Sequence, residues 1–149
     1  MAKYGVLLPK DDLEANHIAA WTWREYDLIP MKMDAVIGLI DHQNSNLVGS
    51  ALFSNYNGCN IELSYYGPET PTGGIARGLA LIALRHFNAI RVTIRTATYN
   101  HHIIRPMKKL GFEEEGIEKN FYGYDRDAVR MVLHRKGIER IAGPKAKLN

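Results

Sequence analysis

Two stretches of this chain carry residues whose types and spacing could do chemistry. The first runs Glu62-Leu63-Ser64-Tyr65-Tyr66, passes through a loop with Gly67, Pro68 and Pro71, and enters Gly73-Gly74-Ile75-Ala76-Arg77-Gly78. The opening residues predict a strand, and the closing ones predict the start of a helix. Amides in the first turn of a helix have no intrahelical partner and sit at the positive end of the dipole, so they can hold a diphosphate. Glycines there let an anion approach the backbone. A Gly/Pro turn that merely joins strand to helix has the same sequence, so the loop alone is a weak signal. Glu62 could take a proton from an attacking amine, or be no more than a solvated carboxylate on a strand face. The second stretch runs from Asn100 to Phe112 and contains His101-His102, Ile103, Arg105-Pro106-Met107 and Lys109-Leu110-Gly111-Phe112. Asn100 is suited to cap a helix. Pro106 removes a helical hydrogen bond and crowds the preceding turn, so a break or a late helix start is expected near Arg105.

Other candidates carry less. His101 and His102 are adjacent and cannot face each other on a helix, and no Asp, Glu or Cys stands at a ligand-like spacing beside them, so no metal is expected. Cys59 lies in the turn-like Asn57-Gly58-Cys59-Asn60 and is not expected to act as a nucleophile. His17 and Trp21 are four residues apart and could line an acceptor pocket, or pack against a sheet. Aromatics in the segment from Gly116 to Asp127 suit cross-strand packing or the rim of a substrate site.

These residues must be positioned by a mixed α/β framework. Tyr4 to Leu8 predicts a first strand, and Asp11 and Asp12 offer an N-cap to a helix over Leu13 to Tyr26, with Leu13, Ile18 and Trp21 near helical spacing. Ala35–Ile40, Leu47–Phe53 and Ile61–Tyr66 read as a three-stranded antiparallel meander with Asn/Gly-rich turns. Ile75 to Phe87 predicts a helix with Ile75, Leu79, Ile82 and Phe87 as its apolar stripe and Ala76, Ala80 and Ala83 beside it. Strands over Arg91–Thr98, Glu113–Tyr122 and Val129–Leu133 complete a mixed sheet with helices on its faces.

The chain has 149 residues, enough for one domain with one core. Residues 1–135 are expected to form that domain, and 136–149 a basic, solvated and frayed tail. The formal net charge is +3. Lys136, Arg140, Lys145 and Lys147 against Glu139 account for all of it, leaving the body near neutral. A nucleic-acid-modifying role is disfavoured on that ground, since polyanion binding needs a basic face. No apolar run is long enough to cross a membrane, and no export signal is visible at the start. The single cysteine suits a reducing compartment, hence a cytoplasmic expectation.

An Asn opening a short helix, followed by Lys109-Leu110-Gly111-Phe112 and a strand, resembles the C-terminal half of the GCN5-related N-acetyltransferase (GNAT) family. The resemblance covers roughly Ala35 to Arg135. It implies an acyl-CoA N-acyltransferase fold with its sheet splayed between strands 61–66 and 91–98. It also implies an acetyl-coenzyme A cofactor and an amine acceptor, either a small molecule or a protein N-terminus or lysine. Cofactor contacts are then implied at Tyr65, Tyr66, Thr72, Gly73, Gly74, Ile75, Ala76, Arg77 and Asn100, with Asn100 on the pantetheine arm and Glu62 as general base. The strand with Glu and two aromatics resembles the ribosomal-protein N-terminal acetyltransferase branch. The loop departs from the family: its Gln/Arg slot is Pro71, a change similar to that in small phage-type members. Two slots that often hold an acid for the departing thiolate, Tyr or Ser, are Met107 and Ile103 here. Tyr65, Tyr66, Tyr99, Tyr122 and Tyr124 are unranked substitutes. These departures keep open a silent binding protein that acts through protein contacts. Homo-oligomerisation is left open.

Overall fold

The computed structural model describes residues 3–71 and 73–144. Its elements follow the expected order as far as β7 and add a last helix: β1 (Tyr4–Leu7), α1 (Asp12–Glu25), β2 (Ala35–Asp41), β3 (Leu47–Ser54), β4 (Asn60–Tyr66), α2 (Gly73–Leu81) with a π turn (Ile82–His86), β5 (Arg91–Ala97), α3 (His101–Leu110), β6 (Glu113–Glu118), β7 (Ala128–His134) and α4 (Arg135–Ala142). The strands form one seven-stranded sheet in the order β1-β2-β3-β4-β5-β7-β6. Every pairing is antiparallel except β4 with β5.

Strand alternation gives the sheet two different faces. One face carries Phe53, Ile61, Val92, Met131 and Leu133, which pack with α2, α3 and α4 into the larger core. The opposite face is covered by α1 over β2 and β3, where Ile18 and Ala19 meet Val36 and Leu52. Asp11 caps α1 by accepting from the Glu14 amide at 2.8 Å. Within α1, Thr22 donates to the Ile18 carbonyl, and Ser50 of β3 lies 2.6 Å from the same hydroxyl. This buried pair fixes the helix on the sheet. The inward residues are Ile18, Ala19 and Thr22, while Leu13, expected on the apolar stripe, is exposed.

Three further expectations are corrected. First, α3 runs unbroken through Pro106. The proline forfeits only the bond to the carbonyl of exposed His102, and burial of Ile104 and Met107 holds the turns on both sides. Second, the helix over Ile75 to Phe87 switches to a π turn after Leu81, where the Phe87 amide donates to the Ile82 carbonyl. Leu84 and Phe87 are both buried through this turn. Third, the tail expected from Lys136 begins as a helix. Ile138 and Ala142 of α4 are fully buried, Arg135 donates to Asn88 and the Ala89 carbonyl, and Arg140 donates to the Leu110 carbonyl at the end of α3. Lys145 and Lys147 lie outside the described residues. At that same end of α3, Gly111 adopts φ 109°, a left-handed cap that favours glycine and explains the Leu-Gly-Phe pattern.

Candidate active site

The site begins where β4 and β5 stop pairing. Their parallel register holds for Asn60↔Arg91, Ile61↔Val92 and Glu62↔Thr93, and no further. Beyond Glu62 and Thr93 the two strands diverge, although each stays paired to its outer neighbour, β3 or β7. The facing backbone edges of Leu63–Tyr66 and Ile94–Ala97 therefore border a V-shaped opening. Unpaired strand edges are hydrogen-bonding groups in search of partners, and an extended ligand with amides can supply them.

On the core face, the V leads into an apolar cavity of about 570 Å³. Leu63, Tyr65 and Ile94 line its strand side, Ala76, Leu79 and Ala80 its α2 side, and Ile103 and Met107 its α3 side. Pro68 to Pro71 and His102 stand at the mouth. The N-terminus of α2 opens there: Gly73 has φ 53°, and a Cβ built on Gly73 or Gly74 would meet nothing within 4 Å. The space beside both glycines is thus open, which would admit a diphosphate to the start of the helix. Arg77 is exposed one turn on, with its guanidinium 3.7 Å from a Cβ built on Gly143. Thr72 lies outside the described residues. Ile75 is turned partly into the core.

Tyr65 stands out among the five candidate tyrosines. It lines the cavity, and its hydroxyl lies over Gly67, 2.8 Å from where a Cβ would be. Burial, helped by the Glu69 carboxylate, pushes its hydroxyl up to about 12. The phenol therefore keeps its proton throughout the neutral range. Tyr66 points to the opposite face, 4.9 Å from the Tyr26 ring, and burial raises its hydroxyl too. Tyr124 is 95% exposed and belongs to no site. Asn100 occupies the N-cap position of α3 without a side-chain cap; its amide donates instead to Thr96, a cavity-lining hydroxyl, at 3.0 Å.

Glu62 sits at the apex of the V but on the face away from the cavity. One carboxylate oxygen accepts from Arg95 at 2.9 Å and the other from Asn55 at 2.7 Å. Arg95 also donates to Glu118 at 2.7 Å and lies 5.3 Å from the Phe121 ring. Tyr122 lies within the electrostatic reach of Tyr66, Arg95, Glu118 and Tyr99, and its hydroxyl is raised chiefly by burial. This second group, Tyr66, Tyr99, Tyr122, Arg95, Glu118 and Glu62, borders the V on the α1 side of the sheet. His17 is exposed and Trp21 packs edge-on to Tyr26 at 6.3 Å, so only Trp21 approaches this group.

Sequence reasoning missed Arg95 and Asn55 as site residues and α4 as a cavity wall. Arg95 and Glu62 are 33 positions apart, and only the parallel register brings them together. For α4 a signal existed: Ile138, Ile141 and Ala142 have helical spacing, but counting charges in the segment hid it.

No protein-family model matches this chain, and no curated protein sequence does. Solved structures do. A mutant form of the spermidine N-acetyltransferase SpeG from Vibrio cholerae is 16% identical, with 93% of this chain and 98% of that one covered and a TM-score of 0.67. The ribosomal-protein-S5-alanine acetyltransferase from Vibrio fischeri is also 16% identical, over 93% and 97%, with a TM-score of 0.66. A GNAT-family acetyltransferase from Bacillus anthracis is 19% identical over 68% and 66%, with a TM-score of 0.53. The fold is that of the GNAT acetyltransferases, as the sequence resemblance implied. The near-equal scores of the first two do not single out the ribosomal branch.

Proposed function

We propose that this chain is an acyl-coenzyme-A-dependent N-acyltransferase, with acetyl as its simplest acyl group. The observation that carries this reading is the V between β4 and β5, which opens into an apolar cavity whose mouth holds the N-terminus of α2. Acyl-coenzyme A has matching parts: an anionic diphosphate, an amide-bearing arm and an apolar end. The amides of Gly73 to Arg77 would hold the diphosphate, with Arg77 beside them. The open edges of β4 and β5 and the Asn100–Thr96 pair would hold the arm.

When bound, the thioester supplies a carbonyl carbon that a neutral amine can attack, forming C–N and breaking C–S. The residues here position and move protons. Tyr65 is the best-placed donor for the departing sulfur, since Met107 and Ile103 have no acidic proton to give. Glu62, at the apex on the other face, would receive the amine's proton once Arg95 is drawn aside. The acceptor, a small-molecule amine or a protein N-terminus or lysine, would enter on the side of Tyr66, Tyr99 and Tyr122.

Titration calorimetry with acetyl-coenzyme A tests the cofactor half. Wild type should bind, and Gly74→Glu, which places a carboxylate where the phosphates should lie, should lose most of the affinity. Equal binding by the variant would put the site elsewhere.

One observation favours a second reading, a binding protein without turnover: both oxygens of Glu62 are already engaged, one by Arg95 and the other by Asn55, so neither is free to meet an incoming amine. Thiol release with an amine panel across pH 6–9 separates the two. The enzyme reading expects release that drops roughly 100-fold or more in Glu62→Gln, with cofactor affinity nearly unchanged. Tight cofactor binding with no release above hydrolysis establishes the second reading.

A further inference from the structure

The cavity is deeper than the V. The strands close at Thr93, yet the cavity lining continues to Val92 and, on the paired strand, to Leu133. From Thr96 at the mouth to Val92 is about 13 Å at ~3.3 Å per residue. Along α2 and into the π turn, the lining from Ala76 to Ala83 covers about 10 Å at ~1.5 Å per residue. An arm held by the open strand edges ends at the apex, because no free edge exists below it. The space beyond has walls of Ala80, Ala83, Phe112, Leu133 and Ile138, and none of these side chains can hydrogen-bond. Alanines stand where larger residues would fill the gap, and α4 closes it from the outside.

We propose that this lower chamber receives the acyl chain of the thioester, and that the donor is an acyl-coenzyme A with a chain longer than acetyl. The inference rests on the cofactor reading above and specifies its donor class. A two-carbon acyl group would leave the chamber empty, whereas a linear chain of several methylenes buries apolar surface against apolar walls. Transfer is unchanged in its balance. The amine nitrogen bonds to the acyl carbonyl carbon, the carbon–sulfur bond breaks, and the amine's proton is passed on as the thiol regains one.

The test is calorimetry of the full chain with coenzyme A and its acetyl, butyryl, hexanoyl and octanoyl thioesters. Each fully buried methylene should strengthen binding by up to about fourfold, so affinity should climb from acetyl through hexanoyl. Ala80→Leu, which fills the upper part of the chamber, should flatten the rise from acetyl to octanoyl. Affinity that is equal for all ligands, or falls beyond acetyl, overturns the long-chain donor and leaves the cofactor site standing. Failure of every ligand, coenzyme A included, overturns both. If Ala80→Leu does not fold, the wild-type series alone decides.

Discussion

Tyr65 is the residue on which acid chemistry in this site turns. Its neighbours on β4 are divided between the faces by strand alternation, so Tyr65 reaches the cavity and Tyr66 does not. Five tyrosines were candidates from the sequence, and only the direction of each side chain ranks them. Tyr65→Phe should keep coenzyme A affinity and lower amine acylation by roughly 100-fold, the lower end for general acid catalysis; unchanged turnover would assign the proton to water. The same substitution has a stability signature. The folded-state hydroxyl sits at about 12 against about 10 when free. The neutral phenol is thus favoured by the fold, and its advantage is intact below pH 10. Between pH 10 and 12 the unfolded chain ionises first, so wild type should lose stability relative to Tyr65→Phe. Urea midpoints that move in parallel across that range would show Tyr65 to be solvated. Glu62 was legible as a carboxylate of interest, but its ties to Arg95 and Asn55 were not, because both are tertiary.

At the scale of elements, the sequence located most strands and helices, since period-two and helical patterns are local. It failed where tertiary packing overrules a local rule. Pro106 sits inside α3 because the buried Ile104 and Met107 outweigh one lost hydrogen bond. The π turn after Leu81 is a second departure from the local pattern, and Leu84 and Phe87 stay buried through it. The largest misreading was the basic tail. Ile138 is fully buried in α4, and Ile138→Ala should cost about 2–4 kcal/mol in urea denaturation. A cost near zero would restore a frayed end.

For the whole molecule, the ordering principle is a sheet that is continuous everywhere except at one parallel seam. That seam pairs over three residues and then parts. Side chains span the gap where the ladder ends: Arg95 joins Glu62 of β4 to Glu118 of β6. The seam's place in the chain was readable, as the GNAT resemblance put the splay between these two strands. The depth of the cavity was not, because it depends on α4 closing over α2 and β5. Among the described residues, no helix is long and apolar enough to cross a membrane.

If the V holds the arm of coenzyme A, backbone amide shifts during a coenzyme A titration will report it. The largest changes should fall at Leu63–Tyr66, Ile94–Ala97 and Gly74–Arg77, with the outer strands β1 and β6 nearly still. Changes confined to the outer strands, or to the loops far from the seam, would contradict it.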